Sequence, residues 1–262
     1  MNHRPRKRFG QHFLHDPGVV SRIVAAVAPA AGEHLVEIGP GEGVLTAPLS
    51  RAPVTLDAVE LDRDLAASLQ QRFAGAPNVT IHQADALDFD YGALGEDLRV
   101  VGNLPYNIST PLLFHLIGHR EAIRDMHFML QREVVDRMSA APGGKAYGRL
   151  TVMLACSMQV ERLFDVPPEA FRPPPRVHSS VVRLTPLEEP LAIADRQLFG
   201  ALVTSAFSRR RKTLKNALAD WLDASAIADA GIDPGLRPER LTPDEFARLA
   251  AAAQVDNGDA LE

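Results

Sequence analysis

The chain has 262 residues, 46% of them hydrophobic, which is enough for one large α/β domain or a medium domain with a small companion and excludes general disorder. Its single cysteine, Cys156, excludes an intrachain disulfide and a four-cysteine zinc site, and no metal site is expected. The net charge of −5 counts weakly against nucleic-acid binding, but charge is unevenly spread: the first ten residues carry four positive charges and no negative one.

That basic start, Arg4 to Arg8, is not followed by an apolar stretch long enough for a signal peptide, and no apolar run reaches bilayer-spanning length. The chain therefore reads as soluble, and a cytoplasmic location is expected. Strand and helix signals then alternate. Leu35-Val36-Glu37-Ile38 is a short strand ending in glycines, and Val54 to Glu60 is a second, ending in an acid. A helix is expected from Asp62 to Phe73, with Leu65 and Leu69 four apart. Asn78 to His82 is a third strand, ending near Asp85, and Leu98 to Gly102 a fourth. Thr110-Pro111 reads as an N-cap with proline in the first helical position, opening a helix to Gly118. Met126 to Leu130 is a fifth strand, followed by a helix from Glu133 to Met138.

Ala141-Pro142-Gly143-Gly144 marks a flexible break. Two further strands, Gln159 to Val166 and Val177 to Leu184, flank the run Phe171-Arg172-Pro173-Pro174-Pro175. The pattern predicts a mainly parallel sheet with helices on both faces and an antiparallel edge. After Leu187-Glu188-Glu189-Pro190 the signals turn helical. Thr242 and Glu245 form a capping box, and Val203, Phe207, Leu214, Leu218 and Trp221 share a helical spacing that needs a break near Ser208. That break leaves Arg209, Arg210, Arg211, Lys212 and Lys215 on a turn and an exposed helix start, as candidate RNA-binding residues.

Ligands of open parallel sheets bind beyond the carboxyl ends of the strands. Gly39, Gly41 and Gly43 lie there, in the spacing E-x-G-x-G-x-G used by S-adenosylmethionine-dependent methyltransferases. Glu60 is placed to accept from ribose hydroxyls and Asp85 from an adenine amino group. A nicotinamide nucleotide is the competing occupant. Asn103-Leu104-Pro105-Tyr106, after the fourth strand, suits a different task. An adenine amino nitrogen is a poor nucleophile because its lone pair is delocalised. The side-chain oxygen of Asn103 and the carbonyl of Leu104 offer acceptors that localise that pair. Tyr106 offers a stacking face, and Phe171 is the candidate for the opposite wall, with core packing as its other reading.

Taken in order, these segments resemble the small-subunit (16S) ribosomal RNA adenine N6,N6-dimethyltransferases of the KsgA type. Lys7 to Leu14, Glu37 to Gly43, Asn103 to Tyr106, Gln131 to Val134, Phe171 to Ser179 and Arg210 to Asn216 carry the match nearly end to end. The resemblance implies a Rossmann-like class I methyltransferase domain with a seven-stranded sheet at residues 1–188. It implies a helical rRNA- and ribosome-binding domain at residues 189–262. It also implies S-adenosyl-L-methionine as cofactor, the immature small ribosomal subunit as partner, a monomer, and two adjacent adenines near the 3′ end of 16S rRNA as targets. By motif position, His12, Leu14, Gly39, Glu60, Asp85 and Asn103 line the cofactor pocket. The alternatives are a large-subunit rRNA adenine dimethyltransferase conferring macrolide resistance and a mainly non-catalytic ribosome-assembly factor; a DNA adenine methyltransferase is disfavoured because the chain shows no separate target-recognition region.

Overall fold

A computed structural model describes residues 12–259, with side chains to residue 254. Its strands are β1 (Phe13–Leu14), β2 (His34–Ile38), β3 (Thr55–Glu60), β4 (Val79–Gln83), β5 (Leu98–Asn103), β6 (Ile123–Gln131), β7 (Met158–Val166), β8 (Phe171–Arg172) and β9 (Ser179–Pro186). The helices in the first half are α1 (Pro17–Val27), α2 (Thr46–Leu49), α3 (Arg63–Arg72), α4 (Ser109–Gly118), α5 (Arg132–Met138) and α6 (Arg149–Ala155). Those that follow are α7 (Arg196–Ser208), α8 (Leu214–Ala217), α9 (Ala224–Asp229) and α10 (Pro243–Asp259).

Seven strands form one sheet in the order β4-β3-β2-β5-β6-β9-β7. The first five pair in parallel, and β9 joins β6 antiparallel, giving the mainly parallel sheet with an antiparallel edge. β2 and β5 are central and almost continuously buried, as strands covered on both faces must be. Arg99, buried near the start of β5, stays charged because it donates to Glu33 (2.7 Å) and Asp125 (2.9 Å). A second, two-stranded sheet pairs β1 with β8, setting Leu14 opposite Phe171.

Local chemistry sets several boundaries. Asp62 caps α3 by accepting from Asp64 and Leu65. Thr242 and Glu245 close their capping box reciprocally: Thr242 N–H donates to the carboxylate (2.7 Å), and Glu245 N–H to the hydroxyl (3.3 Å). α7 ends at Ser208, where the basic run would otherwise enter the apolar stripe. Two elements depart from expectation. α4 starts at Ser109 without a side-chain cap, so Thr110 lies inside the helix. α1, not anticipated, is capped by Asp16 with Pro17 in its first turn.

The chain divides into two compact units. The first runs to Val135 and resumes at Val160–Pro186; the second combines Asp136–Gln159 with everything from Leu187 on. Residues 136–159, which the sequence reading left in the first domain, thus belong with the helices. The reason is packing: Tyr147, Val152 and Cys156 share one buried cluster with Phe199, Leu202, Phe246 and Leu249. Burying each of those large side chains contributes about 1.5–3 kcal/mol. Among the described residues no helix is long and apolar enough to cross a membrane.

Candidate active site

Four parallel strands end side by side, and the loops leaving them line one cavity. From β2 the chain turns through Gly39, Gly41 and Gly43, all at positive φ. At two of these positions a side chain would crowd its neighbours. A Cβ at Gly43 would lie 2.8 Å from Leu69 Cδ2, and one at Gly41 would lie 3.1 Å from the Phe13 ring. From β3, the buried Glu60 accepts from Gly41 N–H (3.0 Å) through Oε2 and from Asp62 N–H (2.8 Å) through Oε1. Glu60 therefore sets the glycine turn as well as lining the cavity. Burial raises its pKa, partly offset by the hydrogen bonds from Asp62 and Gly41. From β4 comes Asp85, half-buried, whose Oδ1 accepts from Leu87 N–H at 2.9 Å.

From β5 comes Asn103, whose Nδ2 donates to the carbonyl of His12 at 3.0 Å. This bond assigns the amide: nitrogen to the His12 carbonyl, Oδ1 left as an acceptor. Leu104 N–H is engaged by Met129 O at 3.2 Å. Tyr106 is fixed through a 2.6 Å bond between its hydroxyl and Ser179 Oγ. The His12 ring stacks on Tyr106 with centroids 5.5 Å apart, and His12 Nδ1 donates to Pro173 O at 2.7 Å. His12, Leu14, Gly39, Gly41, Glu60, Asp85, Asn103, Leu104 and Tyr106 all line the cavity.

Phe171 does not. It is 1% exposed and packs in the apolar cluster with Leu14, Val19 and Ile23, a placement that fits the core-packing reading of this residue. The pairing of β1 with β8 explains this, because it turns Phe171 inward together with Leu14.

Sequence reasoning assigned no role to several cavity residues, among them Phe13, Leu61 and Glu37. Glu37 had a usable signal, as the acid opening the glycine motif on an otherwise apolar strand. It is 2% exposed, its Oε2 has no hydrogen-bond partner, and burial pushes its pKa up to about 7, with Glu60 adding and Thr46 opposing. A carboxyl that holds its proton more tightly folded than unfolded stabilises most below its ordinary 4.5 and loses that contribution as pH rises through about 7. Wild-type stability should therefore fall across this window relative to Glu37→Gln, by up to about 3 kcal/mol. Denaturant midpoints at pH 5 and pH 8 test this; equal losses in both proteins would assign the titration to another group.

In the second unit the basic cluster splits by role. Arg209 pairs with Asp220 (2.8 Å), and Arg210 reaches Gly144 O (3.2 Å) and Glu239 (3.7 Å). Arg211, Lys212 and Lys215 are exposed and form no ion pair among the described residues. No group of three or more His, Cys, Asp or Glu among the described residues is placed to hold a metal.

Known proteins match this chain along nearly its whole length. The family model for ribosomal RNA adenine dimethylase matches residues 2–254. The protein named ribosomal RNA small subunit methyltransferase A is 55% identical in Pseudomonas putida, over 95% of this chain and 94% of that protein. Its namesake in Methylococcus capsulatus is 56% identical, over 95% and 98% respectively. Among solved structures, a dimethyladenosine transferase from Plasmodium falciparum matches with a TM-score of 0.76 at 25% identity, over 91% of this chain and 96% of that one. The 23S rRNA methyltransferase ErmE matches with a TM-score of 0.68 at 26% identity, over 92% and 99%. A seven-stranded class I sheet, a glycine turn fixed by Glu60 and an oriented Asn103 amide on one cavity thus accompany a match of that extent, and the chain belongs to the ribosomal RNA adenine dimethylase family of methyltransferases.

Proposed function

We propose that this protein transfers methyl groups from S-adenosyl-L-methionine to the N6 amino groups of two adjacent adenines in the 3′-terminal hairpin of 16S rRNA. Its substrate is the immature small ribosomal subunit, and it works as a cytoplasmic monomer. The relatives named for the small subunit support this choice over the large-subunit alternative, with which the chain shares only about a quarter of its residues.

The residues present fit the cofactor. At Gly39 a Cβ would meet nothing nearer than 3.9 Å, so backbone lies open to a ligand. Glu37 holds a buried, unpartnered carboxyl oxygen suited to a cationic amine, and Ile38, Val59 and Leu61 supply apolar surface for an adenine. Glu60 keeps lone pairs beyond the two bonds it makes within the turn, enough to accept from ribose hydroxyls. When bound, the cofactor supplies a sulfonium-linked methyl group, an electrophile that needs no further activation.

The protein's part is to prepare the nucleophile. Asn103 Oδ1 and the Leu104 carbonyl accept from the two amino hydrogens of the target base and draw its nitrogen towards pyramidal geometry. Tyr106, held by Ser179, fixes the ring plane. Alignment then contributes most of the acceleration, and the extra proton leaves after transfer. The observation that carries this reading is the Asn103 amide orientation, set by the His12 carbonyl. The test is tritium-labelled cofactor incubated with unmodified small subunits, followed by mapping of the labelled nucleotides. No label in small subunits, with label appearing when large subunits are supplied instead, would replace this reading with the alternative.

We assign methyl transfer to the first unit and rRNA binding to the second. Replacing Arg211, Lys212 and Lys215 by alanine should weaken subunit binding and flatten its salt dependence by about two units. Arg210→Ala should instead cost about 1 kcal/mol of stability, because Arg210 already serves Gly144 and Glu239. Salt titrations and denaturant melts of both variants separate the roles.

A further inference from the structure

The proline-rich run is part of what makes this sequence recognisable, yet Phe171, the aromatic in it, lies in the core. What the run presents to solvent is a loop bracketed at both ends by the cavity rim. At one end Pro173 O accepts from His12 Nδ1; at the other Ser179 Oγ bonds the Tyr106 hydroxyl. His178 O accepts from Arg132 N–H at 3.0 Å, and Pro175 is turned inward. Three consecutive prolines restrict the backbone further, so the loop is fixed before any partner arrives.

Its outward side chains are Arg172, Pro173, Pro174, Arg176, Val177 and His178. No acidic residue occurs from Ala170 through Pro186, and neither Arg172 nor Arg176 forms an ion pair among the described residues. Val177 is 45% exposed; Leu61, at 47%, is the other large apolar side chain so placed among the described residues, and it faces the cavity. A lone exposed valine is ordinary. This one follows an unpaired guanidinium, on a rigid loop two residues from the serine that holds Tyr106.

We propose that residues 172–178 form the lip on which the RNA strand rests while its target base is out of the stack. Arg172 and Arg176 hold phosphates flanking that base, and Val177 wedges into the space the base leaves. Unstacking costs about a few kcal/mol, and an apolar wedge offsets part of it by covering the exposed neighbour. The inference rests on the proposed function and adds the surface that presents the strand to the site.

The experiment uses the full chain and unmodified small subunits. Binding is titrated over a range of salt concentrations, and initial rates give kcat and KM. For Arg172→Ala/Arg176→Ala, the salt slope should fall by about 1.5, two phosphates' worth, with KM raised and kcat within about twofold. Arg172→Lys/Arg176→Lys should restore the slope, which a misfolded loop would not allow. Val177→Ser should leave the slope unchanged and lower kcat about tenfold. An unchanged slope in the double alanine variant overturns the phosphate contacts, and an unchanged kcat in Val177→Ser overturns the wedge. If the wild type transfers no methyl group to these subunits, the proposed function fails. The binding slopes judge the lip separately.

Discussion

Asn103→Ala should lower single-turnover methyl transfer by roughly 10²–10³, the scale for removing one preorganised polar contact to a reacting group, while cofactor affinity changes little. The expectation follows from how the side chain is divided. Its nitrogen is committed to the His12 carbonyl at 3.0 Å, which leaves its oxygen for the substrate in the proposed mechanism. Alanine removes the acceptor that localises the amine lone pair and leaves the glycine turn and Glu60 in place. Asn103→Asp sharpens the test. It keeps an acceptor oxygen but sets a second oxygen against the His12 carbonyl, so it should lose activity through misorientation. Calorimetry with the cofactor, beside single-turnover rates on small subunits, separates binding from chemistry. Full activity in Asn103→Ala would remove the acceptor role.

Glu60→Ala should act on the other half of the site, weakening cofactor binding by roughly 10–100-fold, with the loss expressed in affinity before rate. Each backbone N–H it accepts from is a hydrogen bond to a charged group, worth about 1.5–3 kcal/mol. Losing both frees the turn at Gly41 and leaves Gly41 N–H and Asp62 N–H without an acceptor in a buried place. Glu60→Gln should recover little, because an amide cannot accept through both of its heavy atoms. Calorimetry showing wild-type affinity in Glu60→Ala would take Glu60 out of the pocket.

Much of this site was legible because parallel strands alternate with helices, so the residues that end consecutive strands meet in space. Gly39, Glu60, Asp85 and Asn103 were located by that rule, and the structure brings all four to one cavity. What escaped depended on contacts distant in sequence. The pairing of Phe13–Leu14 with Phe171–Arg172 joins two-residue strands, too short to show any periodicity. An aromatic before a proline run reads equally as a stacking wall or a core residue, and only that pairing decides for Phe171. The orientation of Asn103 likewise depends on a carbonyl 91 residues away. The place of Glu37 at the head of the glycine motif was a usable signal, but its unpartnered carboxyl oxygen depends on what packs around it in the fold. The basic cluster was visible as a run of charge, but its division depended on where Asp220, Glu239 and the Gly144 carbonyl come to lie.

The two-part origin of the helical unit constrains how this protein can be cut or transplanted. A fragment beginning at Leu187 would keep Phe199, Leu202 and Phe246 but lack Tyr147, Val152 and Cys156, which complete their packing. Such a piece would expose a greasy seam and clump rather than stand alone. A chimera that borrows this unit must carry both stretches, because each completes the other's buried cluster.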